Sequence, residues 1–271
     1  MTGSRNAIGQ GEKVLRPVHP NAGIEAEYRK RLERLVAEMQ NSVVYWLKAS
    51  YRANPPEMAE DDTPSAALRR SIRKLQKQWL AQFDEAAPKL ADWFSQATAK
   101  RSSEALRKIL KDGGFTVEFK MTPAMRDIIG ATVNQNVTLI KSIPEQYFTQ
   151  VEGLVMRSVQ QGRDLGFLTK ELQARYGITR RRAANIALSQ NNMATAAFNR
   201  ARQVEVGIDE AVWVHSGGGH APRPTHVKAG REKTRYKVAQ GWFDPALQRH
   251  IQPGEEPGCR CIGRSVVKSF S

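Results

Sequence analysis

The side chains of this sequence that could do chemistry gather between Trp213 and Cys261. This stretch holds four of the five histidines of the chain and both of its cysteines. It contains, in order, His215-Ser-Gly-Gly-Gly-His220, Arg223-Pro-Thr-His226 and a closing Pro257-Gly-Cys-Arg-Cys261. Histidine and cysteine bind transition metals, and histidine is the commonest general acid or base. Any account of function therefore has to explain this stretch.

A zinc site is the first chemistry that these residues could support. The candidate ligands are His220, His226, Cys259 and Cys261. Zinc sites usually have cysteines two to four residues apart, so a single residue between the two cysteines is a weak form of the signal. Two buried cysteines can equally serve as small apolar side chains in a reducing compartment. We favour packing and expect no cofactor, with zinc as the alternative.

Phosphodiester cleavage is the second chemistry. His220 and His226 could act as general acid and base while Arg223 stabilises the developing charge. No carboxylate stands among these residues before Glu232, and the sequence contains no Gly-x-Ser-x-Gly, Walker or His-Glu-x-x-His motif. We therefore predict no catalytic residues and no enzyme, and keep a nuclease or toxin-like module as the alternative.

An architectural role is the third possibility. If Pro224 begins a helical turn, Arg223 and His226 share one side of it and can bond to carbonyls near the Cys259–Cys261 turn. Such a clip, meaning side chains that hydrogen-bond to a distant part of the backbone, needs no ligand. It suits a segment that is rich in glycine and proline. The residue pattern favours this interpretation.

Long amphipathic helices are predicted ahead of this stretch. Apolar residues recur every three or four positions from Ile24 to Ser50, which places them on one helix face. Further helical pattern runs from residue 64 to 110, from 123 to an end at Gln161-Gly162, and from 168 to 204. We expect a kink or break at Pro88 and breaks at Pro144 and Gly177, because proline and glycine weaken helix interiors. The aromatic residues Trp46, Trp79, Trp93 and Phe94 are expected to pack in the core, with a partner-binding face as the alternative.

Three short strands are predicted from alternation and β-propensity. They lie at residues 115–120, around Val212 and Val214, and at 234–239. The fold class is therefore mainly α with a small C-terminal α+β module that is short-stranded and rich in loops. The predicted segments are an extended arm (1–22), an N-terminal helical region (23–120), a second helical region (121–207) and the C-terminal module (208–271).

The chain is strongly basic, with a formal net charge of +15. Such an excess favours contact with polyanions, above all with the phosphates of nucleic acid. Arg180, Arg181 and Arg182 follow the predicted helix start at Thr179, where the helix dipole disfavours cations unless an anion lies nearby. A phosphate, a partner carboxylate or solvent could satisfy them. We take these arginines as the DNA-contact candidates.

The sequence predicts neither a membrane partner nor export. It has no run of 18 apolar residues and no apolar signal core near Met1. We therefore expect an intracellular protein.

The order of several short motifs resembles a known family. The helical segment Ala183–Gln190, Gly207, the pair Val212-Trp213, Arg223-x-x-His226, Gly230 and Pro257-Gly-Cys-Arg-Cys261 follow one another. In this order the sequence is similar to the phage head morphogenesis family, the minor capsid proteins that resemble Mu protein F and the SPP1 minor head protein. The likeness covers roughly residues 120–265. Here Gly217–His220 stands where the family usually carries an acidic residue and an arginine, and Ser189-Gln190 stands where it often carries Thr-Glu.

The resemblance implies a structural protein of the virion and no enzyme activity. It implies a Mu F-like minor capsid protein at the portal vertex or in the head interior, assembled in the host cytoplasm. The implied partners are the portal protein, the major capsid or scaffold protein and double-stranded DNA bound without sequence preference. The family-motif residues would be Trp213, Arg223, His226, Gly230, Pro257, Cys259 and Cys261. A plain DNA-binding protein and the nuclease or toxin-like module remain the alternatives.

Overall fold

The computed structural model describes residues 11–53, 64–161, 164–218 and 222–268. It has the predicted fold class: four long helices form a bundle, and a small antiparallel sheet region with one short helix follows them. The elements are β1 (Glu12–Val14), α1 (Ala22–Ala53), α2 (Pro64–Asp112), α3 (Pro123–Gln160), α4 (Leu165–Glu205), β2 (Glu210–Val214), α5 (Pro224–Arg231), β3 (Arg235–Lys237), β4 (Trp242–Asp244), β5 (Arg249–Ile251) and β6 (Ile262–Lys268). Within the described ranges, no helix combines the length and the apolar character that a membrane crossing requires.

The chain packs as two compact units. The first comprises Met1–Glu25, Trp93–Thr132 and Leu188–Ser271, and the second comprises Ala26–Asp92 and Val133–Ala187. Each unit draws residues from several of the segments predicted along the chain, whose boundaries stay predictions.

The second unit is built from parts of all four long helices. Along α1, buried side chains recur at helical spacing, as at Tyr28, Leu32 and Val36, so one stripe faces the core. Buried hydroxyls within this core find partners: Tyr51 donates to the Ser158 hydroxyl at 2.9 Å. The predicted α1 face holds through Met39 and Val43, which are buried, but it was wrong at Trp46, because the buried stripe continues through Leu47 and leaves Trp46 52% exposed.

The helices are longer than the sequence predicted. Pro88 lies inside α2, Pro144 lies inside α3 and Gly177 lies inside α4, so a helix break at any of these three residues was wrong. Around Pro144, Ile143 and Tyr147 are buried. Burial of apolar residues on both sides of a proline offsets the missing backbone hydrogen bond, which is why packing overrides the local preference.

The first unit contains the sheet, whose strand order is β1-β6-β2-β3. Strand β2 pairs antiparallel with both β6 and β3, and β4 pairs with β5 in a separate two-stranded sheet. Strand β1 was not predicted: residues 12–14 add to the edge of β6, and Leu15 and Val18 enter the hydrophobic core of this unit. Residues 12–14 of the predicted arm are therefore part of the sheet.

The step from α4 into β2 is set by a helix-ending turn at Gly207. This residue has φ +73°, the Ile208 N–H donates to the Gln203 carbonyl and the Gly207 N–H donates to that of Val204. These bonds are those of the Schellman motif, in which glycine takes the left-handed position. The turn lies at the predicted start of the C-terminal module.

The segment 115–120 is extended, but it forms no strand of either sheet, so the predicted strand there was wrong. Side chains from Phe115, Val117 and Phe119 pack against the core of the first unit. Arg202 holds the end of the segment, since it donates to the Lys120 carbonyl at 2.6 Å and to the Ser103 hydroxyl at 2.9 Å. Side-chain bonds thus replace the ladder of a sheet.

We expect Arg202→Met to lower the free energy of unfolding by roughly 2–4 kcal/mol, because it leaves the Lys120 carbonyl and Glu205 without their buried charged donor. The matched control is Arg101→Met, which breaks another i,i+3 arginine–glutamate pair in this unit, with Glu104, on the exposed surface. That change should cost less than about 1 kcal/mol. Urea unfolding followed by circular dichroism measures both, and equal losses would contradict the role given to Arg202.

Candidate metal centre in the C-terminal module

Three separate segments bring the chemistry-bearing residues together. His215 directly follows β2, and His226 lies in the first turn of α5, which begins with Pro224 at its N1 position as predicted. Cys259 and Cys261 lie in an irregular turn after Gly258, whose φ of +72° is natural for glycine. Strand, helix and turn thus meet at one place although 46 residues separate His215 from Cys261.

The ligand-type atoms of this cluster lie close together. His226 Nδ1 is 3.5 Å from the Cys259 sulfur and 3.8 Å from the Cys261 sulfur. These three ligand atoms lie within 4.8 Å of one another, and all three residues are buried. His215 Nδ1 lies 3.5 Å from the Cys261 sulfur. The result is a cluster of two sulfurs and two imidazole nitrogens.

Asp244 extends the cluster on the far side of His226. Its Oδ2 lies 3.3 Å from His226 Nε2, and both side chains are almost wholly buried, at 1% and 2% exposure. The Nε2 atom has no well-directed hydrogen bond, so the contact to Asp244 is its polar interaction in this structure. Asp244 is itself held by the Thr225 hydroxyl and the Ala246 N–H. A carboxylate placed there fixes which ring nitrogen of His226 faces the sulfurs.

The two thiols have opposite pKa shifts because they share one site. The Cys261 thiol and then His226 hydrogen-bond to Cys259 and lower its pKa well below the usual value, despite burial. The backbone N–H groups of Cys261 and Gly254 act in the same direction. The pKa of Cys261 is raised by its hydrogen bond to Cys259, by burial and by the neighbouring charge. The environment therefore supports one thiolate even with protein donors alone.

Trp213 forms the apolar wall behind the cluster. Its side chain is fully buried, and its ring meets that of His226 edge-on, with centroids 5.1 Å apart. Trp242 and Tyr236 pack against the same indole at 5.0 and 6.1 Å. This aromatic group limits the motion of the His226 ring and keeps water away from it.

The predicted clip is present in part. The Arg223 guanidinium donates to the Pro257 carbonyl at 3.1 Å, as the sequence suggested. His226 instead faces sulfur, not a carbonyl. Arg223 thus anchors the turn that carries the cysteines, and His226 points into the cluster.

Gly230 allows His215 to approach α5. A Cβ atom at this position would lie 2.5 Å from the His215 Cβ and 2.7 Å from its backbone nitrogen, far inside normal contact. His215 directly follows β2, whose pairing with β3 and β6 limits how far the His215 backbone can move away. This close approach is the physical reason for a glycine at position 230.

The sequence identified most of this cluster and missed two members. His226, Cys259 and Cys261 meet as ligand candidates, whereas His220 lies outside the described residues. His215 was not chosen, and Asp244 lies 18 residues beyond His226, so no local spacing pointed to it. His250 lies apart from the cluster and packs against Phe243.

The three DNA-contact candidates do not begin a helix. Arg180, Arg181 and Arg182 lie in the middle of α4, so the argument from the helix dipole was wrong. Arg180 is 3.4 Å from the Glu33 carboxylate, and Arg182 donates to the Ser142 hydroxyl at 2.8 Å. Arg181 is exposed, with no ion pair to a described residue. Phosphate contact stays a prediction, strongest for Arg181.

Comparison with known proteins finds a distant relative. An uncharacterized protein of Haemophilus influenzae is 26% identical over 263 residues, which cover 94% of this chain and 56% of that protein. This chain thus spans little more than half the length of the relative. No family model matches the chain, and no solved structure does.

We expect Gly230→Ala to lower the free energy of unfolding by roughly 1–3 kcal/mol, because its new methyl group overlaps His215. Gly130→Ala is the matched control: Gly130 is an exposed helix residue whose Cβ would meet nothing within 4 Å. That change should stabilise by about 0.5–1 kcal/mol. Thermal unfolding compares the two, and a neutral Gly230→Ala would show that the approach of His215 is unimportant.

Proposed function

We propose that this protein is a minor capsid, or head morphogenesis, protein of a tailed phage or prophage. The observation that carries the proposal is the convergence of the family-motif residues. Residues from distant positions meet at one cluster. His226 lies against the sulfurs of Cys259 and Cys261, Trp213 packs against the His226 ring, and Arg223 holds the turn before the cysteines. Gly230 allows His215 to approach α5, and the Pro257 carbonyl accepts the hydrogen bond from Arg223. The meeting of these residues at one place in the structure supports the resemblance more strongly than their order along the chain does.

The geometry favours architecture over turnover. His226 is 2% exposed, enclosed by Trp213, Asp244 and two sulfurs, which leaves a polymeric phosphodiester no room at its ring. Arg223 is engaged with the Pro257 carbonyl. Both residues belonged to the nuclease alternative, so their placement supports the structural proposal. Their role is to hold an irregular module in one shape.

Partner binding is proposed for the exposed aromatic pair of α1. Tyr45 and Trp46 are 66% and 52% exposed, and their rings pack edge-on at 5.2 Å. Exposed aromatic residues of this kind are enriched where proteins bind other proteins. Within the proposal, this pair contacts the portal or the major capsid or scaffold protein.

The decisive experiment is copurification of the full chain with a portal ring expressed from the same phage genome. The double variant Tyr45→Ser, Trp46→Ser should reduce recovery with portal or procapsid at least about tenfold, since hot-spot aromatics carry roughly 2 kcal/mol each. Phe243→Ser, which removes an exposed aromatic residue from the other unit, should bind normally. Failure of the native chain to join either assembly would overturn the proposed function. A truncation lacking residues 1–120 would not test the proposal, because it removes β1 from the sheet and Leu106 from the core of the first unit.

Binding to packaged DNA is proposed from the net charge of +15. Such binding is indifferent to sequence and weakens steeply with salt, because phosphate contacts release counterions. Arg181→Ala should reduce the slope of log affinity against log salt by about one, and replacement of Arg180, Arg181 and Arg182 together by up to about three. Fluorescence anisotropy at several salt concentrations measures the slope. Lys89→Ala, which removes a charge paired with Glu85, serves as the control. An unchanged slope in the triple variant would show that these three arginines do not contact DNA.

A further inference from the structure

We propose that the C-terminal module binds one zinc ion through Cys259, Cys261, His226 and His215. The inference stands on geometry alone and does not depend on the proposed role in a phage head. It assigns a metal ion to the two cysteines, for which the sequence analysis favoured apolar packing over zinc binding.

The spacing of the ligand atoms fits a tetrahedral zinc ion. Zn–S bonds of about 2.3 Å and Zn–N bonds of about 2.0–2.1 Å at a tetrahedral angle place sulfur and nitrogen about 3.5 Å apart. Both closest sulfur–nitrogen distances of the cluster, Cys259 to His226 and Cys261 to His215, are 3.5 Å, and Cys261 to His226 is 3.8 Å. His226, Cys259 and Cys261, whose ligand atoms all lie within 4.8 Å of one another, therefore need little movement to share an ion, and His215 completes the shell from beside Cys261.

The donor set selects the metal. Two thiolates and two imidazoles in a tetrahedral arrangement are characteristic of zinc, whereas oxygen-rich sites select magnesium or calcium. Four protein ligands also leave no open position for water or substrate, which is the pattern of a structural site. Burial of three of the ligands agrees with that pattern.

The surroundings of the ligands match what metal-bound residues require. Metal-bound histidine usually directs its other ring nitrogen to a carboxylate, and His226 Nε2 lies 3.3 Å from Asp244. This contact turns Nδ1 toward the sulfurs. Asp244 itself is a fully buried carboxylate on the side of His226 away from the sulfurs, and a divalent cation at Nδ1 would offset its negative charge through the imidazole ring.

The position of the site explains why the module would need it. The ligands come from the end of β2, the first turn of α5 and the 257–261 turn, and most strands around them are three residues long. An ion that joins these segments provides the cross-link that such short elements cannot. Binding deprotonates the cysteines and releases their protons to solvent, with no change of oxidation state.

The test uses the full chain, purified without a metal-binding tag. Elemental analysis should find about one zinc per chain, and the cobalt-substituted protein should show thiolate-to-cobalt charge-transfer and tetrahedral ligand-field bands. Cys259→Ser should lose the zinc and the charge-transfer intensity. If that variant does not fold, the cobalt spectrum of the native chain still decides. A native protein that holds no zinc, takes up none and gives no thiolate–cobalt band overturns the proposal, as does zinc that Cys259→Ser and Cys261→Ser both retain.

A second variant tests the positioning of His226. Asp244→Asn should weaken zinc affinity about 10–100-fold in a chelator competition, because it removes the charge that orients the imidazole. Asp209→Asn, at a carboxylate that is 91% exposed, should leave the affinity unchanged. Equal affinities in the two variants would contradict the role of Asp244 and leave the ion without its orienting carboxylate.

Discussion

The C-terminal module depends on the meeting of two thiols and two imidazoles in an apolar pocket. The elements around this meeting are too short to define a structure by themselves, since β3, β4 and β5 have three residues each. Buried polar groups are costly unless they find partners, so side chains that satisfy one another here fix the paths of three segments at once. Trp213 closes the pocket, Gly230 admits His215, and Arg223 anchors the turn that carries the cysteines. Each of these features makes sense only if the cluster is the centre of the module.

The two units of the chain achieve order by different means. In the helical unit, long stripes of apolar side chains pack together, and helices tolerate Pro88, Pro144 and Gly177 because burial outweighs local preference. In the first unit, which contains the sheet, hydrogen bonds from single side chains connect the elements. Arg202 donates to the Lys120 carbonyl at the end of the 115–120 segment, and Gln203 donates to the Ser265 hydroxyl on β6. This division matches a protein that presents one regular surface and one irregular, closely held module.

The sequence predicted the features that depend on local pattern. Helical periodicity predicted the long helices, and the pattern expected from residue 123 matches the start of α3 at Pro123. Alternation and β-propensity predicted strands near β2 and β3. Local rules failed where distant residues decide. Strand β1 exists because β6 offers it an edge, and Trp46 is exposed because the stripe of α1 rotates toward Leu47. For the site, His226 and the cysteines were visible as ligand types, whereas Asp244 and the use of His215 follow from tertiary contacts that no spacing reveals.

X-ray absorption at the zinc edge of the natively purified chain tests this account most directly. The account predicts a first shell of two sulfurs at about 2.3 Å and two nitrogens at about 2.0–2.1 Å. In Cys259→Ser the zinc should be lost together with this sulfur shell. A shell of nitrogen and oxygen alone, or a native protein without zinc, would contradict it.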